Sequence, residues 1–358
     1  MQVVNYEVDA GWFCRRFIQV LHSLPIVMVA VRYGSAGDPI AQSLSPVLAR
    51  LVVSHIAGEG DGKKSPDMQM KRVMVIPARK VEDALAWAYV DALPRSVEWN
   101  LSGAEINRFV TTSRLDKAVA EATEAISECP QELSQRGESP HLPVGPDGIP
   151  GSGDEVWLSL TSPLKHQLGS ASLRYVDDSM GIESINCLRW NNREWWAAST
   201  DGPGLILVAE HLGIDMSDEP VLDLRGGGGA ARSVAWAWSA EGGLLRWLGG
   251  RRELREGGPW EASMAKDGKD AVLTIDFENQ ELEAEGLVMK AKYDAMNGSY
   301  EQRVEKLADV SSGIDGRWLL AAQHLISWST LWRPDIPYQL PDLGLLLARL
   351  ASVEAYFE

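Results

Sequence analysis

The sequence predicts an α/β protein: an N-terminal α/β unit, a second Rossmann-type unit of parallel strands, and a helical C-terminal tail. Three observations carry this. A glycine-rich loop, Gly226-Gly227-Gly228-Gly229-Ala230-Ala231-Arg232, stands between an apolar run and a helical stretch. Apolar runs alternate with segments of helical spacing on both sides of it. At 358 residues, the chain exceeds what one ordinary core organises, so two domains are the default.

Taken in order, residues 26–32 form an apolar run that ends at a Tyr33-Gly34 turn. Residues 46–56 carry Val47, Leu48, Leu51, Val52 and Ile56 on one helical stripe, with Ser45 as N-cap and Pro46 in the first helical position. A second strand and helix follow at 73–77 and 81–92. Residues 94–154 read as an insertion. Within it 115–127 is helical, and 130–153, rich in Pro, Gly and Ser, is a surface loop. Residues 156–160, 184–190 and 195–198 read as strands, the last two joined at Asn191-Asn192, and 203–212 as a helix. The second unit then alternates strand 221–224, loop 226–229, helix 230–239, and strands 244–248, 272–275 and 286–290. Residues 317–332 and 340–357 are helical.

Composition narrows the partners. Hydrophobic residues make up 45% and charged residues 23%, the profile of a globular protein. With 34 basic and 50 acidic residues the net charge is −16, which argues against nucleic acid and anionic membrane as partners. An anionic small molecule would need a local basic pocket. Cys14, Cys129 and Cys187 form no disulfide framework or Cys-x-x-Cys pair, as expected of a cytoplasmic protein, and six scattered histidines offer no metal site. Arg15-Arg16-Phe17-Ile18 before an apolar run has the outline of an export signal. Because residues 26–31 read as the first buried strand, cytoplasmic residence is the expectation.

Gly226-x-Gly228-x-x-Ala231, after a strand and before a helix, matches the dinucleotide fingerprint. Glycine there lets backbone N–H groups approach a pyrophosphate at the positive end of a helix. Gly226, Gly227, Gly228, Gly229, Ala230 and Ala231 are therefore the candidate cofactor loop. The next strand ends in Gly249-Gly250-Arg251-Arg252, with no acid before Glu253. Two guanidiniums where a 2′-phosphate would sit favour NADP over NAD.

Two polar turns precede that loop, Ser159-Leu160-Thr161-Ser162-Pro163-Leu164-Lys165 and Ser199-Thr200-Asp201-Gly202-Pro203-Gly204. Together with the loop they resemble the shikimate dehydrogenase family. The family's Gly-x-Pro-Ile-x-His-Ser-x-Ser-Pro turn is similar to residues 37–46, its Asn-Val-Thr-x-Pro-x-Lys turn to 159–165, and its Val-Asn-Thr-Leu strand to Ile185-Asn186-Cys187-Leu188. Its Asn-Thr-Asp-Gly turn resembles 199–202, its glycine loop 226–232, its Asn-Arg-Thr phosphate clamp the place of 250–252, and its Gly-x-x-Met-Leu-x-x-Gln helix 316–323. The seven motifs fall in the family's order. Departures are Gln42 for histidine, Ala49-Arg50 for a His-Asn pair, Ser159 for asparagine, and Asn297 in the place given to a carboxylate-binding tyrosine.

The resemblance implies reversible, NADP-dependent reduction of 3-dehydroshikimate to shikimate, a step of chorismate and aromatic amino acid biosynthesis. Lys165 would be the general acid/base and Asp201 its orienting partner. Ser43, Ser45 and Thr161 would offer hydroxyls, and Asn186 and Gln323 amides, to the substrate. It implies a substrate-binding domain over 1–205 completed by 316–358, an NADP-binding domain over 206–315, and a monomer or homodimer. Each residue also has a plain alternative: Ser45 as a helix cap only, Lys165 and Asp201 as a surface ion pair worth under about 1 kcal/mol, Asn186 as a stitch in a turn, Gln323 as an exposed helix residue. An enzyme acting on another polyhydroxy ring acid such as quinate, and a silent binding protein of the same fold, stand as alternatives.

Overall fold

A computed structural model describes residues 29–59, 68–93, 95, 97–101, 110–136, 142–146, 153–169, 172–266, 268–278, 280 and 286–358. The expected features of residues 1–28, and the parts of the insertion not named above, lie outside them.

Two sheets organise the chain. The first has six strands in the order β2-β1-β3-β5-β6-β4, namely β1 Val29–Gly37, β2 Met68–Pro77, β3 Asp154–Leu160, β4 Leu173–Tyr175, β5 Cys187–Trp190 and β6 Trp195–Ala198. It is mixed: β2, β1 and β3 run parallel, and the β5–β6 hairpin inserts antiparallel beside β3. The second sheet is parallel throughout, in the order β10-β9-β7-β8, with β7 Val221–Arg225, β8 Leu244–Trp247, β9 Ala271–Asp276 and β10 Leu287–Lys290. The strand order reverses at β7, so its carboxyl end is the switch point where such sheets open a crevice.

Helices cover the faces of both. On the first sheet α1 Ser45–Glu59, α3 Thr112–Ala125 and the two C-terminal helices, α7 Gly316–Ser327 and α8 Leu343–Tyr356, pack together on one side. On the other, α2 Val81–Val90 covers a smaller core of Ile76, Trp87, Val156, Leu158 and Leu188. Helix α4 Asp201–His211 leads to the second sheet and lies between α7 and α5 Gly229–Ala240. Helix α6 Tyr300–Ala308 follows β10. No helix among the described residues is long and apolar enough to cross a membrane.

Several expectations need correction. Strand β1 continues through Tyr33-Gly34 to Gly37, so no turn forms there. A Cβ on Gly34 would lie 2.5 Å from Ile76 Cδ1 and 2.9 Å from Trp87 Cζ3, so this glycine serves close packing of α2 on the sheet. Ser45 is the first helical residue rather than the cap: Val47 and Leu48 both donate to the Leu44 carbonyl. Strand β5 starts at Cys187: Asn186 still bonds both neighbouring strands, but Ile185 N donates to Lys165 O and Ser184 N to Ser179 O, which takes the chain out of the sheet before it. The 130–153 loop is partly anchored, with a 3₁₀ turn at Gln131–Leu133 that buries Leu133 and Gly145 N donating to Ser329 O. The short strand β4 and helix α6 go unanticipated. The latter starts with a full capping box of Ser299 and Gln302.

Candidate active site

The turn after β3 is tied down at each end. Thr161 N donates to Ala36 O, Leu164 N closes onto Thr161 O, and the Lys165 carbonyl accepts from Ile185 N. This aims the Lys165 side chain at the first residue of α4, Asp201. Lys165 Nζ lies 2.8 Å from Asp201 Oδ1 and 2.7 Å from Oδ2. The two side chains are 16% and 3% exposed, so this is an enclosed pair and not the solvated surface contact considered above. Breaking a pair this enclosed leaves an uncompensated charge, which costs far more than a surface bridge contributes.

Asp201 is held from two directions. Asn186 accepts from Thr200 N at 2.8 Å and donates to Thr200 Oγ1 at 3.0 Å, while Thr200 Oγ1 also meets Ser327 Oγ at 3.1 Å on α7. From α5, Ser233 Oγ accepts from Ser199 Oγ at 2.8 Å and from Gly202 N at 2.9 Å. A hydroxyl of α5 thereby satisfies an amide at the N-terminus of α4, which has no cap from its own residues.

The seven residues expected to meet substrate or its oxygen, Ser43, Ser45, Thr161, Lys165, Asn186, Asp201 and Gln323, all line one cavity of about 260 Å³. It opens between the strand ends of the two sheets, with Ser35 and Ser159 on one side and Phe277 and Ala291-Lys292-Tyr293 on the other. Asn186 has its amide engaged with Thr200, so it braces the aspartate turn as well as forming wall. Ser43 Oγ pairs with Ser35 Oγ at 3.1 Å.

Tyr293, Lys292 and His324 are among the wall residues that escaped the sequence reading. Asn297 is exposed and outside the wall, whereas Tyr293 lines it, its hydroxyl accepting from Leu44 N at 3.2 Å. Burial pushes the Tyr293 phenol up to about 12. The resemblance therefore misplaced the tyrosine by four residues, and the signal was the aromatic right after the last strand. Lys292 and His324 also line the cavity. Burial pushes the His324 imidazole down to about 3.

The candidate cofactor loop joins β7 to α5. Gly226 has φ +114, a left-handed geometry that favours glycine. A Cβ on Gly227 would lie 2.3 Å from Glu253 O and 2.4 Å from Arg252 O, so the turn after β8 rests directly on the loop. Gly228 precedes α5 with no side-chain cap and open space where a Cβ would be. Gly229, Ala230 and Ala231 form the first turn, and a Cβ on Gly229 would lie 3.0 Å from Lys165 Cβ. An uncapped helix start facing open space, beside glycines, fits a pyrophosphate.

Arg251 and Arg252 are exposed on that neighbouring turn. The two differ. Arg251 pairs with Glu278, which follows β9, while Arg252 makes no ion pair among the described residues. Burial, then the charges of Arg252 and Arg232, hold His166 below its ordinary value, which places cationic groups around the mouth of the loop.

No family model matches the chain. It is 31% identical over 150 residues to shikimate dehydrogenase (NADP(+)) of Anaeromyxobacter dehalogenans, a stretch that is 40% of this chain and 53% of that one. It is 37% identical over 78 residues to the enzyme of the same name from Xanthomonas campestris pv. campestris, 22% of this chain and 27% of that one. The chain thus spans about half or less of the curated relatives it matches. Among solved structures it resembles shikimate 5-dehydrogenase of Thermus thermophilus, a protein solved in complex with NADP(H) and shikimate. That match has TM-score 0.50 and 18% identity, over 90% of this chain and 99% of that one. The chain is thus similar to shikimate dehydrogenases over part of its sequence and shares the α/β fold of the Thermus thermophilus structure.

Proposed function

We propose that the protein catalyses NADP-dependent, reversible reduction of 3-dehydroshikimate to shikimate. The observation that carries this is the enclosed Lys165–Asp201 pair, set in one cavity with Ser43, Ser45, Thr161, Asn186 and Gln323 and in contact with the Gly226–Gly229 loop. In this reading the first sheet with α7 and α8 (residues 1–205 and 316–358) forms the substrate domain, and residues 206–315 hold the cofactor.

The nicotinamide supplies the hydride that adds to the ring carbonyl. Lys165 Nζ donates a proton to the alkoxide that develops there, and reclaims it in the reverse direction. Asp201 fixes the ammonium and accepts from a neighbouring ring hydroxyl. The hydroxyls of Ser43 and Ser45, at the start of α1, and the Tyr293 phenol receive the carboxylate. The Gly228–Ala231 backbone would hold the pyrophosphate and Arg251 and Arg252 the 2′-phosphate. Free thiols at Cys129 and Cys187 agree with a reducing, cytoplasmic setting.

The test is a coupled absorbance assay of the purified protein with 3-dehydroshikimate and each reduced nicotinamide. Consumption of NADPH with 3-dehydroshikimate is expected; no turnover with either nicotinamide would reject the reading. Another polyhydroxy ring acid as the true substrate is favoured by one observation: the Ser159 hydroxyl is taken up by Tyr33 at 2.7 Å. Quinate and related acids in the same assay separate the two.

The Arg251–Glu278 contact gives a sharper expectation for cofactor choice. Arg251→Ala should weaken NADPH by about 10- to 100-fold, the worth of one charge-assisted phosphate contact, and leave NADH nearly unchanged. Glu278→Gln should strengthen NADPH by releasing the guanidinium. Dissociation constants measured by fluorescence titration decide it. An unchanged NADPH/NADH ratio in both variants would remove Arg251 from phosphate binding.

A further inference from the structure

The polar groups of the cavity wall fall into two classes. Ser35 is paired with Ser43, Ser159 with Tyr33, Asn186 with Thr200, Ser327 with Thr200 and the Gln323 carbonyl, and Lys165 with Asp201. One buried wall residue stands apart from these. His324 is 1% exposed, and both its Nδ1 and Nε2 lack a hydrogen-bond partner among the described residues. Its ring packs against Tyr33 at 6.1 Å and Trp332 at 5.7 Å, contacts that hold its orientation and satisfy neither nitrogen. Buried polar atoms in folded proteins are nearly always paired, so an imidazole orphaned at both nitrogens calls for a reason.

Its placement supplies one. Leu320, Gln323, His324 and Ser327 recur at i, i+3, i+4 and i+7 on α7, the spacing of a single helix face, and all four line the cavity. His324 therefore shares that face with Gln323, and Tyr33, which packs against it, pairs with Ser159. Ser159 is shorter than the asparagine of the turn it resembles, and its hydroxyl is already committed. The hydrogen-bonding capacity missing from the β3 side is thus offered from α7. We infer that His324 is a specificity-determining residue of this cavity, its ring nitrogens hydrogen-bonding a hydroxyl of the bound ring acid. This rests on the ring-acid reading above and goes beyond it by naming the group that reads the hydroxyl. A site that leaves a buried donor or acceptor unpaired when the hydroxyl is missing discriminates strongly against the deoxy analogue.

The experiment compares His324→Phe and His324→Leu with the wild-type enzyme on shikimate and on analogues each lacking one ring hydroxyl, with NADP. Direct titration of shikimate into the protein gives a second, activity-independent readout. Both variants should lower kcat/KM for shikimate by about 10- to 100-fold, mostly through KM, with a matching loss in the titration and unchanged NADPH affinity. For one deoxy analogue, wild type and variants should perform alike. His324→Gln, which restores an amide, should recover part of the loss. An equal penalty on every analogue would make the ring a packing element only and overturn the inference, as would no change at all or a failure of both apolar variants to fold. A wild-type enzyme inactive on every ring acid would instead remove the parent reading.

Discussion

Lys165→Ala should lower kcat by about two to four orders of magnitude, the usual share of a positioned proton donor, while NADPH affinity changes little. The separation follows from geometry. The lysine nitrogen is spent on Asp201, and its Cβ is the atom that a Cβ on Gly229 would crowd. Alanine keeps that Cβ, so the loop is undisturbed. Asp201 is then left 3% exposed without its counter-charge. Asp201→Asn, which stays polar but holds the ammonium less firmly, should lose less than Lys165→Ala. Single-turnover kinetics with a parallel NADPH titration check both. A Lys165→Ala enzyme with wild-type turnover would take the lysine out of the chemistry.

Gly202→Ala should cost about 3 kcal/mol or more, at the upper end of overpacking changes. The added carbon would sit 2.1 Å from Ser233 O and 2.6 Å from Ser233 C, backbone atoms of α5 that cannot rotate away. The same shift would pull Gly202 N off Ser233 Oγ and move Asp201, so activity should fall along with stability. Gly58→Ala is the control. It meets nothing within 4 Å and lies within α1, so it should stabilise by about 0.5–1 kcal/mol. Urea midpoints at unchanged m-value, with the activity of each variant, test the pair. A Gly202→Ala protein as stable as wild type would mean that α4 and α5 have room to part.

Much of the architecture was legible because its signals are local. The glycine loop lies between an apolar run and a helical stripe, and the lysine and aspartate turns are marked by Pro163, Gly202 and Pro203. Each reads without knowledge of what packs against it. What was misread depends on distant neighbours. Gly34 looks like a turn signal but exists to let Trp87 approach β1. Residues 184 and 185 stand in strand-like order, yet Ser184 N is spent on Ser179 O and Ile185 N on the Lys165 carbonyl. Tyr293 lay four residues from the expected place, beyond reach of a motif comparison with no fixed gap. The isolation of His324 is a property of burial and of missing partners, which no sequence pattern encodes. Helix α6 is different in kind: the Ser299-x-x-Gln302 capping box was available in the sequence and went unread.

The hydroxyl of Ser233 carries a mechanical implication. At Gly202 helices α4 and α5 touch without room for a methyl group between them, and one is bolted to the other through that oxygen. The opposite flank of α4 is as tight: a Cβ on Gly204 would lie 2.9 Å from Gln323 N of α7, and Thr200 Oγ1 meets Ser327 Oγ of the same helix. The start of α4 is therefore a wedge clamped from both sheets, and a displacement of either neighbour is transmitted directly to the Asp201 carboxylate.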